Sequence, residues 1–300
     1  MSITVSKVAS LPDFIKKVFR LRDAWQDADI KQAKKCGDDE PDPVSVWFRG
    51  QGNARWLLQP KLYRSGKKFN ENEIRTEFKL RAFQLISEAH VPQDDREWYF
   101  LMQHYGAPTR LLDWTDGALI ALYFAVKSQA RHKNAAVWMI DPSWWNHELM
   151  NANDPNNYVE GILLPYWGEA EPWFPEPFEQ ALHVTYPVAM DPPHVARRVS
   201  VQRSRFTVHG KSKRGLESFL ARTPRPRLAK FVIPKVVGRE IFKDLSTCGI
   251  TETSVYPDLG GLSKELETKW AQLDFATSSK LRKPPKQKTV RTPQKLLGNG

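Results

Sequence analysis

The sequence predicts an α+β fold, a mixed or antiparallel sheet core flanked by helices. Three observations carry that expectation. The runs VSVWFR (44–49), AAVWMID (135–141) and AKFVIP (229–234) have the β-branched and aromatic composition of strands. The stretches around them repeat apolar residues every three or four positions, the period of a helix with one buried face. No internal repeat is present, and an apolar share of 41% over 300 residues suffices for a sizeable core.

Each element has a local reason. Ser10 can cap a helix that starts near Leu11, with Pro12 in its first turn and Phe14, Val18, Leu21 and Trp25 on one face. The acidic, turn-rich GDDEPDP (37–43) cannot continue it. The strand 44–49 stops at Gly50-Gln51-Gly52, where two glycines allow either a close backbone approach or a turn. A short strand and turn occupy 56–64. A helix over Glu73–Ala89 aligns Ile74, Phe78, Ala82, Leu85 and Ala89, and a second, from Gln93 or Asp94 to His104, aligns Trp98, Leu101 and His104. Pro108 marks a boundary. HYGAPTRLLDWT (104–115) reads as a polar loop, after which Thr115 or Asp116 can cap a helix over Gly117–Ser128.

Beyond the strand at 135–141, residues 142–193 are rich in Pro and Trp and read as an insertion or lid packed by its own aromatics. RRVSVQRSRFTVH (197–209) alternates as a broken strand or a hairpin. Val237–Thr247 reads as a helix closed by Gly249, 253–262 as a loop, and Ser263–Ala276 as a last helix with Leu266, Trp270 and Leu273 inward. The expected organisation is an N-terminal helical segment (1–39), an α+β domain (40–276) and a disordered basic tail (277–300).

The net charge of +11 is unevenly placed. Lys280, Arg282, Lys283, Lys286, Lys288, Arg291 and Lys295 follow Asp274 without an acidic residue, and removing these seven leaves +4 on the first 279 residues. Such a tail (280–295) can gather near nucleic acid by releasing counterions, or remain a solvated end. No run approaches the length of a membrane span and no signal-peptide segment opens the chain, so a cytoplasmic protein without a membrane partner is expected. Cys36 and Cys248 are too few for a disulfide framework or a thiolate cluster, and the scattered histidines predict no metal site. Phosphate-loop, dinucleotide, zinc-protease and serine-hydrolase motifs are absent.

The chemistry concentrates in the 104–115 stretch, which places His104, Thr109, Arg110, Asp113 and Trp114 within eleven residues. Arg49 ends an apolar strand beside a glycine. Its planar fork suits a phosphate, and equally suits an ion pair with Asp113. Arg110 can reach a phosphate or bond Asp113. Trp114 offers a face for a base, although core packing is the commoner use of a Trp. His104 can serve a ligand or a backbone carbonyl. The Tyr123 ring suits the core, with its hydroxyl free to point into a cleft. Gln51, between its two glycines, is a further contact. In 197–214 the alternation puts Arg198, Ser200 and Gln202 on one polar side, and the surrounding basic residues suit nucleic acid or a solvated face.

WFRGQ (47–51), PKLYR (60–64), EFKLRAF (77–83) and MQHYGAPTRLLDWTDGALIALYFA (102–125) resemble the FRG domain, a bacterial and phage module. Weaker agreement continues in SVQRSRFTVHG (200–210) and through 233–262, so the resemblance spans roughly 40–262. The FRG pattern is distantly similar to ADP-ribosyltransferases, which implies a split sheet, NAD as substrate and a role in toxin action or phage–host conflict. By that resemblance Thr109 and Thr115 are candidates for the second-strand Ser/Thr; Arg49 would hold the NAD phosphates, Thr109 and Arg110 the ribose side, Trp114 would stack, and Gln202 or Glu179 would steady the reacting ribose. No Glu sits in a clear strand motif, so the alternative expectation is a non-catalytic module that senses a nucleotide or nucleic acid.

Overall fold

The helix expected after Ser10 is set by its two ends. Ser10 accepts a hydrogen bond from the Asp13 amide at 3.3 Å, and Gly37 closes the helix at φ 75°, a conformation that favours glycine. This computed structural model describes residues 3–64, 69–86, 91–92, 94–130, 132–151, 158–159, 161–164, 173–174, 184–191, 203–221 and 223–281. Glu179, Arg198, Gln202, most of 142–193 and the tail from 282 lie outside them.

Among the described residues the strands are β1 (Thr4–Lys7), β2 (Trp47–Gln51), β3 (Leu111–Thr115), β4 (Ala135–Ile140), β5 (Val188–Met190), β6 (Ser204–Val208) and β7 (Leu228–Ile233). They form one sheet in the order β1-β7-β4-β2-β3-β6-β5. β1 runs parallel to β7 and every other pair is antiparallel, so the sheet is mixed. The α-helices are α1 (Leu11–Cys36), α2 (Lys61–Arg64), α3 (Glu71–Ala82), α4 (Asp95–His104), α5 (Ala118–Lys127), α6 (Pro142–Trp144), α7 (Gly238–Thr247), α8 (Glu252–Val255) and α9 (Leu259–Leu281). The α+β expectation is met. No helix among the described residues is long and apolar enough to cross a membrane.

One face of the sheet packs on α1, α5 and α7 through Phe14, Val18, Leu122, Ile241 and Phe231. Phe14 meets Phe231 edge-on at 5.6 Å. The other face carries one of two further clusters, and the second lies at the β3-β6-β5 end on the same side as α5. Trp47, Trp138, Trp145 and Leu216 form the first, and Tyr99, Phe100, Trp173 and Phe206 the second. β4 is buried at all six positions because both faces are covered, which explains its unbroken apolar run.

Several expectations are corrected. The polar loop at 104–115 ends in strand β3. Leu111, Leu112, Trp114 and Thr115 are all buried, so LLDWT has no clean alternation to reveal it. β1 escapes the sequence because it is a four-residue edge strand, three of its residues exposed. α3 stops at Ala82 instead of Ala89, leaving Leu85 exposed. α8 and the start of α9 replace the loop expected at 253–262. α9 continues to Leu281, past the start expected for the disordered tail. Leu266 and Trp270, expected inward, are 44% and 61% exposed. Helical spacing creates an apolar face without guaranteeing a surface to receive it.

Candidate functional site

β2 and β3 are neighbours in the sheet, yet only Phe48 and Thr115 are in register between them. β2 pairs with β4, and β3 with β6, through five positions each. Past Phe48 the two strands part, and the Arg49 side chain enters the opening. Strand alternation puts Trp47, Arg49 and Gln51 on one face and turns Phe48 and Gly50 towards α5. A Cβ on Gly50 would lie 2.0 Å from the Ala121 carbonyl oxygen and 2.7 Å from the Ala125 amide nitrogen. This glycine therefore serves the first of its two expected uses, a close backbone approach, and what it admits is helix α5.

Arg49 Nη1 donates to the Asp113 carbonyl oxygen at 2.5 Å and reaches Asp113 Oδ2 only at 3.4 Å. Its side chain is 11% exposed, whereas that of Asp113 is 51% exposed. Burial pushes the Arg49 pKa down to about 10, against the restoring pull of Asp113, and the nearby Arg64 guanidinium pushes the same way as burial. Arg49 Nε is buried and has no hydrogen-bond partner among the described residues. Arg64, on α2, donates to the Gln59 carbonyl at 2.8 Å. Burial lowers its pKa too, and the charge that raises it is again Asp113. Both guanidinium groups thus feel the half-exposed Asp113 carboxylate, and of the two Arg49 is the one within ion-pair distance of it.

Other arginines with buried or partly buried side chains are matched. Arg110 Nε donates to Glu71 Oε1 at 2.9 Å and Nη2 donates to Oε2, a bidentate pair at the start of α3. Burial opposes the Arg110 charge, but Glu71 more than offsets it and raises the pKa. Arg227 is held between Asp29 and Asp141, and Arg205 between Asp116 and Asp191. Arg110 is therefore paired with Glu71, where the sequence left a phosphate or Asp113 as its partner.

Other expected contacts also belong to the core. Trp114 is 2% exposed, and its indole N–H donates to the Thr207 hydroxyl at 3.1 Å, so its faces are closed to a base. Gln51 accepts from the Trp138 indole at 2.9 Å and donates to the Leu57 carbonyl at 3.2 Å. The Tyr123 hydroxyl donates to Glu252 on α8, away from Arg49. Thr115 Oγ1 accepts from the Gly117 amide at 3.1 Å, a local turn bond at the start of α5. The half-buried His104 ring stands edge-on to Tyr105 at 4.9 Å. Thr109 is buried and donates to Gln103, whose amide nitrogen donates to Asp113 Oδ1 at 2.7 Å.

The structure thus joins Arg49, Asp113 and Thr109 and separates them from Arg110, Trp114, Gln51 and Tyr123. It adds Gln103 and Arg64, to which no role was assigned from sequence. Arg64 stands in PKLYR, and Gln103 sits directly before His104, in the last turn of α4. Exposed Lys211, Lys213 and Arg214 adjoin the same region, since Gln59 Nε2 donates to the Lys213 carbonyl at 2.6 Å while its own carbonyl accepts from Arg64. A separate cavity of about 380 Å³, lined by Lys127, His132, Lys235, Arg239 and Phe242 among others, lies between the end of α5 and the start of α7.

The family model of the FRG domain matches residues 44–134, from the approach to β2 through α5 and into the turn before β4. It takes in Arg49, Arg64, Gln103, Thr109 and Asp113, and stops well short of residue 262. No curated protein and no solved structure matches the chain.

Proposed function

We propose, with the FRG domain of residues 44–134 as premise, that the split between β2 and β3 binds a phosphate-bearing nucleotide. Arg49 is the principal phosphate contact and Arg64 the second. One observation carries this reading: the two guanidinium groups have a single half-exposed carboxylate between them, whereas Arg110, Arg205 and Arg227 are each matched. A phosphate supplies the missing charge in the bidentate geometry a guanidinium favours.

NAD is the nucleotide that the ADP-ribosyltransferase resemblance adds. In such a transfer the bond between ribose C1′ and the nicotinamide nitrogen breaks and nicotinamide leaves with the electron pair. An oxygen or nitrogen of the acceptor bonds C1′ and gives up its proton. The exposed Lys211, Lys213 and Arg214 beside Arg64 favour a nucleic-acid acceptor, since they extend the positive surface from the split.

Isothermal titration of the full chain with ADP and with NAD tests the binding. Binding is expected, and Arg49→Ala weakens it by about ten-fold or more, a loss of about 1.4 kcal/mol. Unchanged affinity in that variant removes the proposal. Incubation with labelled NAD and RNA or DNA then separates enzyme from sensor: nicotinamide release with label on the polymer supports transfer, and tight binding without release supports sensing.

A further inference from the structure

We infer that Gln103 is the positioning residue of this site, holding the Asp113 carboxylate turned from Arg49 so that the guanidinium keeps its charge for the ligand. The inference rests on the nucleotide reading above. Gln103 belongs to a directional relay. The Leu111 amide donates to Thr109 Oγ1 at 3.2 Å, the Thr109 hydroxyl donates to Gln103 Oε1, and Gln103 Nε2 donates to Asp113 Oδ1 at 2.7 Å. The reverse orientation of the amide would set its carbonyl against the Asp113 carboxylate, two acceptors with no proton between them.

The relay decides how Asp113 treats Arg49. The short contact of this carboxylate is to a neutral amide, and its contact to the cation is stretched to 3.4 Å. An unconstrained arginine–carboxylate pair closes to two parallel hydrogen bonds of about 2.8 Å. The Arg110–Glu71 pair, with both carboxylate oxygens engaged, illustrates that closed state in the same protein. Gln103 thus trades ion-pair strength for a primed cation. An incoming phosphate meets an Arg49 whose Nε has no partner among the described residues and whose carboxylate makes its short bond to Gln103. The backbone carbonyl of Asp113 still fixes the guanidinium in place.

Titration of the full chain with ADP tests this in the wild type, Gln103→Leu, Asp113→Asn and the double variant, with thermal melts to verify folding. Gln103→Leu frees Asp113 to close on Arg49, and ADP affinity falls about ten-fold. Asp113→Asn removes the competing charge, so the double variant recovers wild-type affinity and Asp113→Asn alone binds at least as tightly as wild type. Recovery by the second substitution is a result that a merely structural Gln103 does not produce. Wild-type affinity in Gln103→Leu, or a loss that persists in the double variant, overturns the inference. Should Gln103→Leu not fold, weakened binding in Asp113→Asn overturns it by itself. Arg49→Ala separates the two levels: loss of ADP binding there beside an unaffected Gln103→Leu removes only the role of Gln103. Undiminished binding in Arg49→Ala removes the site and the inference together.

Discussion

Replacing Glu71 by Gln tests whether Arg110 is structural. The substitution keeps the shape of the side chain and removes its charge. Arg110 and Glu71 have side chains only 6% and 11% exposed, and they meet through two hydrogen bonds. Removing one partner of a buried ion pair leaves the other charge desolvated and costs about 3–5 kcal/mol. Gln can still accept one hydrogen bond from the guanidinium, so the lower end applies, about 3 kcal/mol. For a domain of this size each kcal/mol moves the midpoint by roughly 2–4 °C, so Tm falls by roughly 6–12 °C. Circular dichroism melts read that shift directly. The companion variant Glu71→Leu with Arg110→Met removes both charges and recovers most of the stability. A Tm for Glu71→Gln within about 2 °C of wild type refutes the reasoning. So does a stably folded double variant that has lost ADP affinity, because Arg110 would then belong to the ligand.

Three further outcomes are expected. Gly50→Ala drives a methyl into the backbone of α5, so the variant loses about 3 kcal/mol or more in denaturant unfolding; an unchanged midpoint would mean that α5 does not pack this closely on β2. His209 is fully buried, and burial pushes its pKa down to about 3, below the ordinary 6.5. The unfolded chain takes up a proton below pH 6.5 and the folded chain does not, so stability is lost as pH falls from 6.5 towards 3, by about 1.4 kcal/mol per unit. His209→Gln should flatten that slope relative to wild type, and parallel slopes in urea titrations at pH 6.5, 5.5 and 4.5 would count against it. Trp114→Phe loses the bond to Thr207 and part of the buried ring volume, so stability drops by about 2 kcal/mol while ADP affinity holds; a selective loss of ADP binding would restore the ring to the ligand.

The site was partly legible in advance because some of its chemistry is local. Arg49 declares itself as a guanidinium at the end of an apolar run, and Asp113 was its natural ionic partner. Gln103 did not stand out, since a glutamine in the last turn of a helix is ordinary until the fold sets Thr109 on one side of it and Asp113 on the other. Arg64 was equally quiet, because its meaning depends on lying near the carboxylate that pairs with an arginine fifteen positions away. Trp114 and Tyr123 looked available for a ligand, as any aromatic with a polar handle does. Their hydroxyl and carboxylate partners, Thr207 and Glu252, lie far along the chain.

The sequence by itself determined the α+β class, the capped first helix, the central strands β2, β4 and β7, and the arginine within β2. These follow from periodicity, capping residues and strand composition, which act over a few neighbouring positions. Only the tertiary structure decided which cations are neutralised, because ion pairing depends on groups that the fold brings together: Glu71 to Arg110, Asp29 and Asp141 to Arg227, and Asp113, loosely, to Arg49. It also decided that LLDWT is a strand and that Gly50 answers to a helix. Burial on two faces and contact between backbones are properties of the assembled sheet, and no local pattern encodes them.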